Sequence, residues 1–475
     1  MPTPLPPGAP RSARRRLLPC LVPLLLCLVA PLRAGWGEDA IKKECDYIVN
    51  CSFTTYAVNN SQAQVGDAAY GTINVVRIAS AGADWVNPGE SAIAAVGLME
   101  GAKKLWQLGV YTTDVARYDA VLDAFFYKWV NGSSSGLFVT SGTDAGGARS
   151  RVYYNVNGSY SSANAPTSAA TGQILVASWK YYEYLVDTNQ TSKAANWLWW
   201  SRTFAQNAGA FLNAAYHTTY QMNAGRPSVL TTSDLWISDA SWAQVGMRVL
   251  SRYQAYGLIP APSGYTYAGR ADSLASGLAA MKDPGGWKNF YRYRACAAGY
   301  AARYGDKLDQ LCFLPYETDS LSVGETYCGE LSDWWTTGGV MTPNSTNSSI
   351  WTFYGTKWKH FFAGSSENNR LTAGPGLQLA KVEWKHRNAT GLMTYQTRAA
   401  NRLSFADSTS RSNLWLGNFS TTEAGVPNGI VDWRDQTNYN VVAPTWQRFA
   451  DTSAYFIQVV LMIIYGTDTT YQPVL

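Results

Sequence analysis

Asp239-Ala240-Ser241-Trp242-Ala243-Gln244-Val245-Gly246-Met247 has two echoes elsewhere in the chain. Asp451-Thr452-Ser453-Ala454-Tyr455-Phe456-Ile457-Gln458-Val459 resembles it, and both resemble Ser168-Ala169-Ala170-Thr171-Gly172-Gln173-Ile174-Leu175-Val176. Each opens on a residue suited to a helix N-cap and continues with small and apolar residues on most faces. A helix of that kind is surrounded by other helices. The segments that follow carry bulkier residues, as Ser192–Tyr216 does with Trp197, Trp199 and Trp200. Small inner helices alternating with bulky outer ones imply two concentric rings.

Outward from these repeats, three- and four-residue apolar spacing predicts helices over Glu90–Leu108, Asp114–Val130, Ser168–Asp187, Ser192–Tyr216, Asp239–Tyr256, Asp272–Met281, Trp287–Tyr304, Ser322–Trp335 and Asp451–Tyr465. Asp114, Ser168, Asp239 and Asp451 are the expected N-caps. Strand-like segments follow the helix pairs at Leu137–Thr140, Arg151–Tyr154 and Tyr220–Leu230, with a further one at Gly391–Tyr395. No linker tract interrupts the chain, and Met341–Ser349 reads as a glycosylated loop, so residues 35–475 are expected to form one domain.

The N-terminus reads as an export signal. Arg11, Arg14, Arg15 and Arg16 precede an apolar run from Leu17 to Leu32, and Leu32-Arg33-Ala34 offers a cleavage site. Pro19, Pro23 and Pro31 leave the run too short and broken for a membrane span. Its five arginines leave with it, bringing 38 basic residues level with the 33 acidic ones. The remaining chain is neutral, which gives no basis for nucleic-acid or anionic-membrane binding. Nine Asn-X-Ser/Thr sequons, at Asn50, Asn59, Asn131, Asn157, Asn189, Asn344, Asn347, Asn388 and Asn418, fit a secretory route to the extracellular space or cell wall. Cys45, Cys51, Cys296, Cys312 and Cys328 remain after signal removal. They allow two disulfides and one spare thiol, with Cys45–Cys51 as the natural local pair.

Composition points toward carbohydrate. Only 15% of residues are charged, below the roughly 25% of an ordinary domain, while the chain holds 19 Trp and 30 Tyr. Many sit beside polar residues, as in Asp84-Trp85-Val86-Asn87 and Asp432-Trp433-Arg434-Asp435. Flat apolar faces with polar edges suit sugar rings. Other chemistries lack their residues. His217, His360 and His386 have no metal-ligand spacing, and no metal or cofactor is expected. Gly132-Ser133-Ser134-Ser135-Gly136 follows a helix, where a nucleophile elbow follows a strand. Gly142–Gly147 lacks the Lys-Ser/Thr of a phosphate loop.

The pattern of helix pairs and intervening hairpins resembles the six-hairpin glycosidases over most of 60–470. That resemblance implies an all-α (α/α)6 toroid of helical hairpins with short β-hairpin insertions. Asp234-Leu-Trp-Ile-Ser-Asp239-Ala-Ser-Trp242 is similar to the helix start of family 76 α-mannanases, in which two adjacent Asp precede an inner helix; here Ser238 occupies the first place. Glycoside hydrolysis needs two carboxyls. Acids beside aromatics near inner-helix starts make Asp234, Asp239, Asp432 and Asp435 the candidate catalytic residues. Asp84, Trp85, Trp236, Trp242, Trp433 and Arg434 are the candidate sugar contacts. Asp239 and Asp451 could instead be helix caps, and Arg434 could neutralise Asp432 and Asp435. Two other functions stay open: a non-catalytic glycan-binding or matrix protein, and a polysaccharide lyase built on His217, Tyr220 and Arg226.

Overall fold

A computed structural model describes residues 35–58, 60, 62–74, 84–216, 235–280, 294–295, 314–326, 328–329, 332, 356–357, 370–406, 429–430, 433–435 and 449–471. The export signal, the helix expected at 287–304, the strand expected at 220–230 and the loop 341–349 lie outside them. The helices are α1 (Trp36–Asn50), α2 (Pro88–Leu108), α3 (Thr112–Asp123, running on as a π-helix over Ala124–Val130), α4 (Ser168–Asp187), α5 (Thr191–Ala215), α6 (Ile237–Ala255), α7 (Tyr267–Ala280), α8 (Gly374–Thr390), α9 (Met393–Ala406) and α10 (Ala450–Tyr465). None of them is long and apolar enough to cross a membrane.

The even-numbered helices form an inner ring. α2 packs between α10 and α4, α4 between α2 and α6, and α8 against α10. Residues 314–320 fill the place between α6 and α8: Ser320 Oγ donates to Gln244 Oε1 (3.2 Å), and Lys381 Nζ donates to Glu317 Oε1 (3.0 Å). The odd-numbered helices lie outside, α3 on α2, α5 on α4, α7 on α6 and α9 on α8. These are the two concentric rings that the alternation of small and bulky helices implied, arranged as the (α/α)6 toroid that the resemblance to six-hairpin glycosidases implied.

Small residues set the inner spacing. A Cβ on Gly172 of α4 would collide with the Trp242 carbonyl of α6, and one on Gly246 would lie 2.9 Å from Gly172 Cα. On the other side, Gly97 of α2 abuts Ala454 of α10. Backbones this close leave no room for branched side chains, and the flanking Val, Ile and Leu are buried around them.

The helix starts share one end of the ring. Gly89, at the start of α2, touches Gln173 in the second turn of α4, and Gly374, at the start of α8, faces Thr452 of α10. Three small antiparallel sheets feed this end. β1 (Asp84–Val86) pairs with β2 (Val152–Tyr154), which pairs with β3 (Tyr160–Ala163). β4 (Leu235–Trp236) pairs with β5 (Arg294–Ala295). β6 (Thr356–Lys357) and β8 (Trp433–Asp435) flank β7 (Arg370–Thr372). β1, β4 and β7 run directly into α2, α6 and α8.

Four sequence expectations need correction. Gly391–Tyr395 is no strand: Gly391 takes a left-handed φ of 77° as the C-cap of α8, and α9 begins two residues later. The predicted N-caps are displaced. Thr167, not Ser168, caps α4 by accepting from Ala170 N (3.1 Å). Asp114, Asp239 and Asp451 all lie inside the first turns of their helices. The helix expected at 322–335 starts late: residues 322–325 form a turn, and helix is described at 326, 328–329 and 332. Finally, Cys45 carries a free thiol, so it forms no bridge with Cys51. Six residues along a helix rise about 9 Å, beyond the roughly 7 Å reach of a disulfide. The Cys45 sulfur instead packs into the space left by Gly101. Cys51 and Cys328 are buried, and Cys296 and Cys312 lie outside the described residues.

Gly172→Ala should destabilise the protein by about 1–3 kcal/mol through overpacking of the α4–α6 contact. Gly66→Ala, whose Cβ meets nothing within 4 Å, should change stability by less than about 0.5 kcal/mol. Denaturant unfolding of the two variants checks this, and equal stability would contradict the proposed close approach.

Candidate active site

Three inner helices place an acid in their first turn: Glu90 in α2, Asp239 in α6 and Asp451 in α10. The partial positive charge of a helix N-terminus favours carboxylates there. Asp239 does more than that. It is buried, and its Oδ1 accepts from Ala169 N (3.0 Å) at the start of α4, with Ser168 N as a second backbone donor. One carboxyl thus belongs to α6 by sequence and caps α4. Burial outweighs these hydrogen bonds and pushes its pKa up to about 6.

Gln173 joins α4 to both neighbours. It lies against Gly89 of α2, and with its amide oriented to donate to Ala169 O (3.2 Å) it accepts from Trp242 Nε1 (3.3 Å). The buried Trp242 ring meets Tyr471 edge-on, centroids 5.0 Å apart. Beneath lies a sealed polar network. Lys381 is held by Glu317 (3.0 Å) and by Gln458 Oε1 (2.7 Å), and sits 4.2 Å from the Tyr471 ring centre. Tyr471 Oη donates to Gln458 Oε1 (2.9 Å), and Gln378 Nε2 to Glu317 Oε2 (3.1 Å). Tyr455 has its phenol pushed well above the ordinary range, first by burial and then by the negative charges of Glu317, Asp451 and Glu90.

The sequence-predicted residues divide into three groups. Asp239 and Trp242 come together at the start of α6. Trp85 lies on β1, exposed, with the Arg151 guanidinium stacked 4.1 Å from its ring centre. Asp84 pairs with Tyr154 along the same strand. Trp236 stands on β4 opposite Arg294. On β8, Trp433, Arg434 and Asp435 stand opposite Thr372, Leu371 and Arg370. Asp234 and Asp432, and the lyase candidates His217, Tyr220 and Arg226, lie outside the described residues, as does any cross-cleft pairing that needs them. Glu90, Gln173, Glu317, Lys381 and Gln458 were not singled out in sequence. Glu317 and Lys381 occupy stretches with no apolar period, so only their contact in space reveals them.

No protein-family model matches the sequence, and no curated protein matches it. Solved structures match over most of its length. A family 76 glycoside hydrolase from a bovine Bacteroides thetaiotaomicron strain has a TM-score of 0.53 at 11% identity, with 91% of this chain and 78% of that one covered. Hormoconis resinae glucoamylase gives 0.57 at 9% identity, covering 92% and 75%. A D-mannose isomerase gives 0.53 at 10% identity, covering 91% and 97%. The chain has the six-hairpin glycosidase-like fold. Identities this low show the fold alone, and function has to be argued from the site.

The raised pKa of Asp239 has a signed consequence. Between the ordinary value near 3.8 and about 6, the folded chain binds a proton that the unfolded chain has released. Stability therefore falls as pH rises through that window. Wild type should lose about 2 kcal/mol more than Asp239→Asn between pH 4 and pH 7. Parallel unfolding curves for the two proteins would show that Asp239 titrates as an ordinary carboxylate.

Proposed function

We propose that this protein is an exported glycoside hydrolase acting on a neutral glycan at the N-terminal end of its inner ring. The observation that carries the reading is Asp239, a buried carboxyl with a pKa near 6 at an inner-helix start within a glycosidase-like fold. A carboxyl that keeps its proton up to about pH 6 is suited to protonate a leaving glycosidic oxygen in mildly acidic solution. Glu90 and Asp451 are further carboxyls at inner-helix starts, and Asp234, Asp432 and Asp435 complete the set from which the second group comes. Trp85, exposed on β1 just ahead of α2, offers aromatic surface at that end, whereas Trp242 is buried beneath the start of α6. Export rests on residues 1–34 and on the sequons, of which Asn157, Asn189 and Asn388 are exposed.

A second reading has an observation of its own. The Asp239 carboxylate already caps α4, a structural task that a non-catalytic glycan-binding protein would need equally.

Secreted protein incubated with a polysaccharide panel separates the two. The hydrolase reading expects release of reducing ends, a loss of about 10²–10⁴-fold in turnover for Asp239→Asn, and unchanged retention on insoluble glycan. Retention without release by wild type would establish the binding protein instead.

A further inference from the structure

Away from the ring, the loop after α3 and the outer face of α5 enclose an open groove of about 380 Å³, within the size range of small-molecule sites. Its floor is apolar, formed by Val130, Leu137 and the stacked rings of Phe138 and Phe204, whose centroids lie 5.5 Å apart. Its rim is polar, with exposed Ser133, Thr203 and Asn207. An apolar face edged by hydroxyl and amide groups is complementary to a pyranose ring. Asn131 lines the same groove and is the acceptor position of the sequon Asn131-Gly132-Ser133. It closes the π-helical turn, its N–H bonding to Phe126 O (3.0 Å), and that wide turn delivers it to the groove mouth.

We propose that this groove is the seat of the chain's own Asn131-linked glycan, with the first sugar rings lying on Phe138 and Phe204 and their polar edges meeting Thr203 and Asn207. The proposal rests on the export reading above and adds to it a defined binding site. The glycan covers the exposed part of Phe138, whose other face stacks on the buried Phe204, and it ties the 131–147 loop to α5.

The test uses the full chain secreted from a glycosylating eukaryotic host, with glycopeptide mass spectrometry at each sequon. Enzymatic removal of the Asn131 glycan is then timed on the folded protein, for wild type and for Phe138→Ala and Thr203→Trp. The first variant removes the platform, and the second fills the groove from its exposed rim without touching the core. A seated glycan predicts an occupied Asn131 whose release is about fivefold to tenfold slower in wild type than in either variant, the size expected for one aromatic contact. Unchanged thermal unfolding of Thr203→Trp keeps the comparison valid should Phe138→Ala fold poorly. Equal release rates overturn the seat. A bare Asn131 beside other occupied sequons overturns it while export stands, and a chain bare at every sequon overturns both.

Discussion

The closed inner ring depends on helices that approach backbone to backbone. Gly172 and Gly246 let α4 and α6 touch without side chains between them, and Gly97 against Ala454 does the same for α2 and α10. A residue as large as valine at these crossings would widen the ring on one side, and a closed circle has no free edge on which to absorb the change. The same close packing gathers the helix N-termini at one end. The partial charges of several helices then converge on one small volume, and carboxylates are favoured there.

A narrow ring also has a centre that must be filled. This chain fills it with Glu317, Lys381, Gln378, Gln458, Tyr455 and Tyr471 rather than with aliphatic side chains. Glu317 and Lys381 are each about 1% exposed, and each is paired with the other and hydrogen-bonded to a further side chain. Removing one partner of such a pair costs about 3–5 kcal/mol, since the other charge is left uncompensated. The network reaches Trp242, on the same helix as Asp239, through the Tyr471 ring.

The inner ring was legible where burial and periodicity agree. α2, α4, α6 and α10 are rich in small and apolar residues, and their bounds in sequence and structure nearly coincide. α8 was invisible because its buried face carries Gln378, Lys381, Glu383 and His386, so an inner helix reads as a polar segment. Gly391 misled for a related reason, since a glycine beside apolar residues serves a helix C-cap as readily as a strand start. The site was half legible. Asp239 and Trp242 stood out as an acid beside an aromatic at a helix start, but that Asp239 caps a neighbouring helix is a property of packing, and no local pattern encodes it. Cys45 and Cys51 looked paired only while the α1 helix between them went unrecognised.

The proposed hydrolase function requires that sugar bind at the N-terminal end of the inner ring. Hydrogen exchange measured with and without gluco- and manno-oligosaccharides addresses that directly. The account predicts ligand-dependent protection in the first turns of α2, α6 and α10, around Glu90, Asp239 and Asp451. Protection confined to the opposite end, around Glu100, Lys103, Lys180 and Asp187, or to no part of the inner ring, would contradict it.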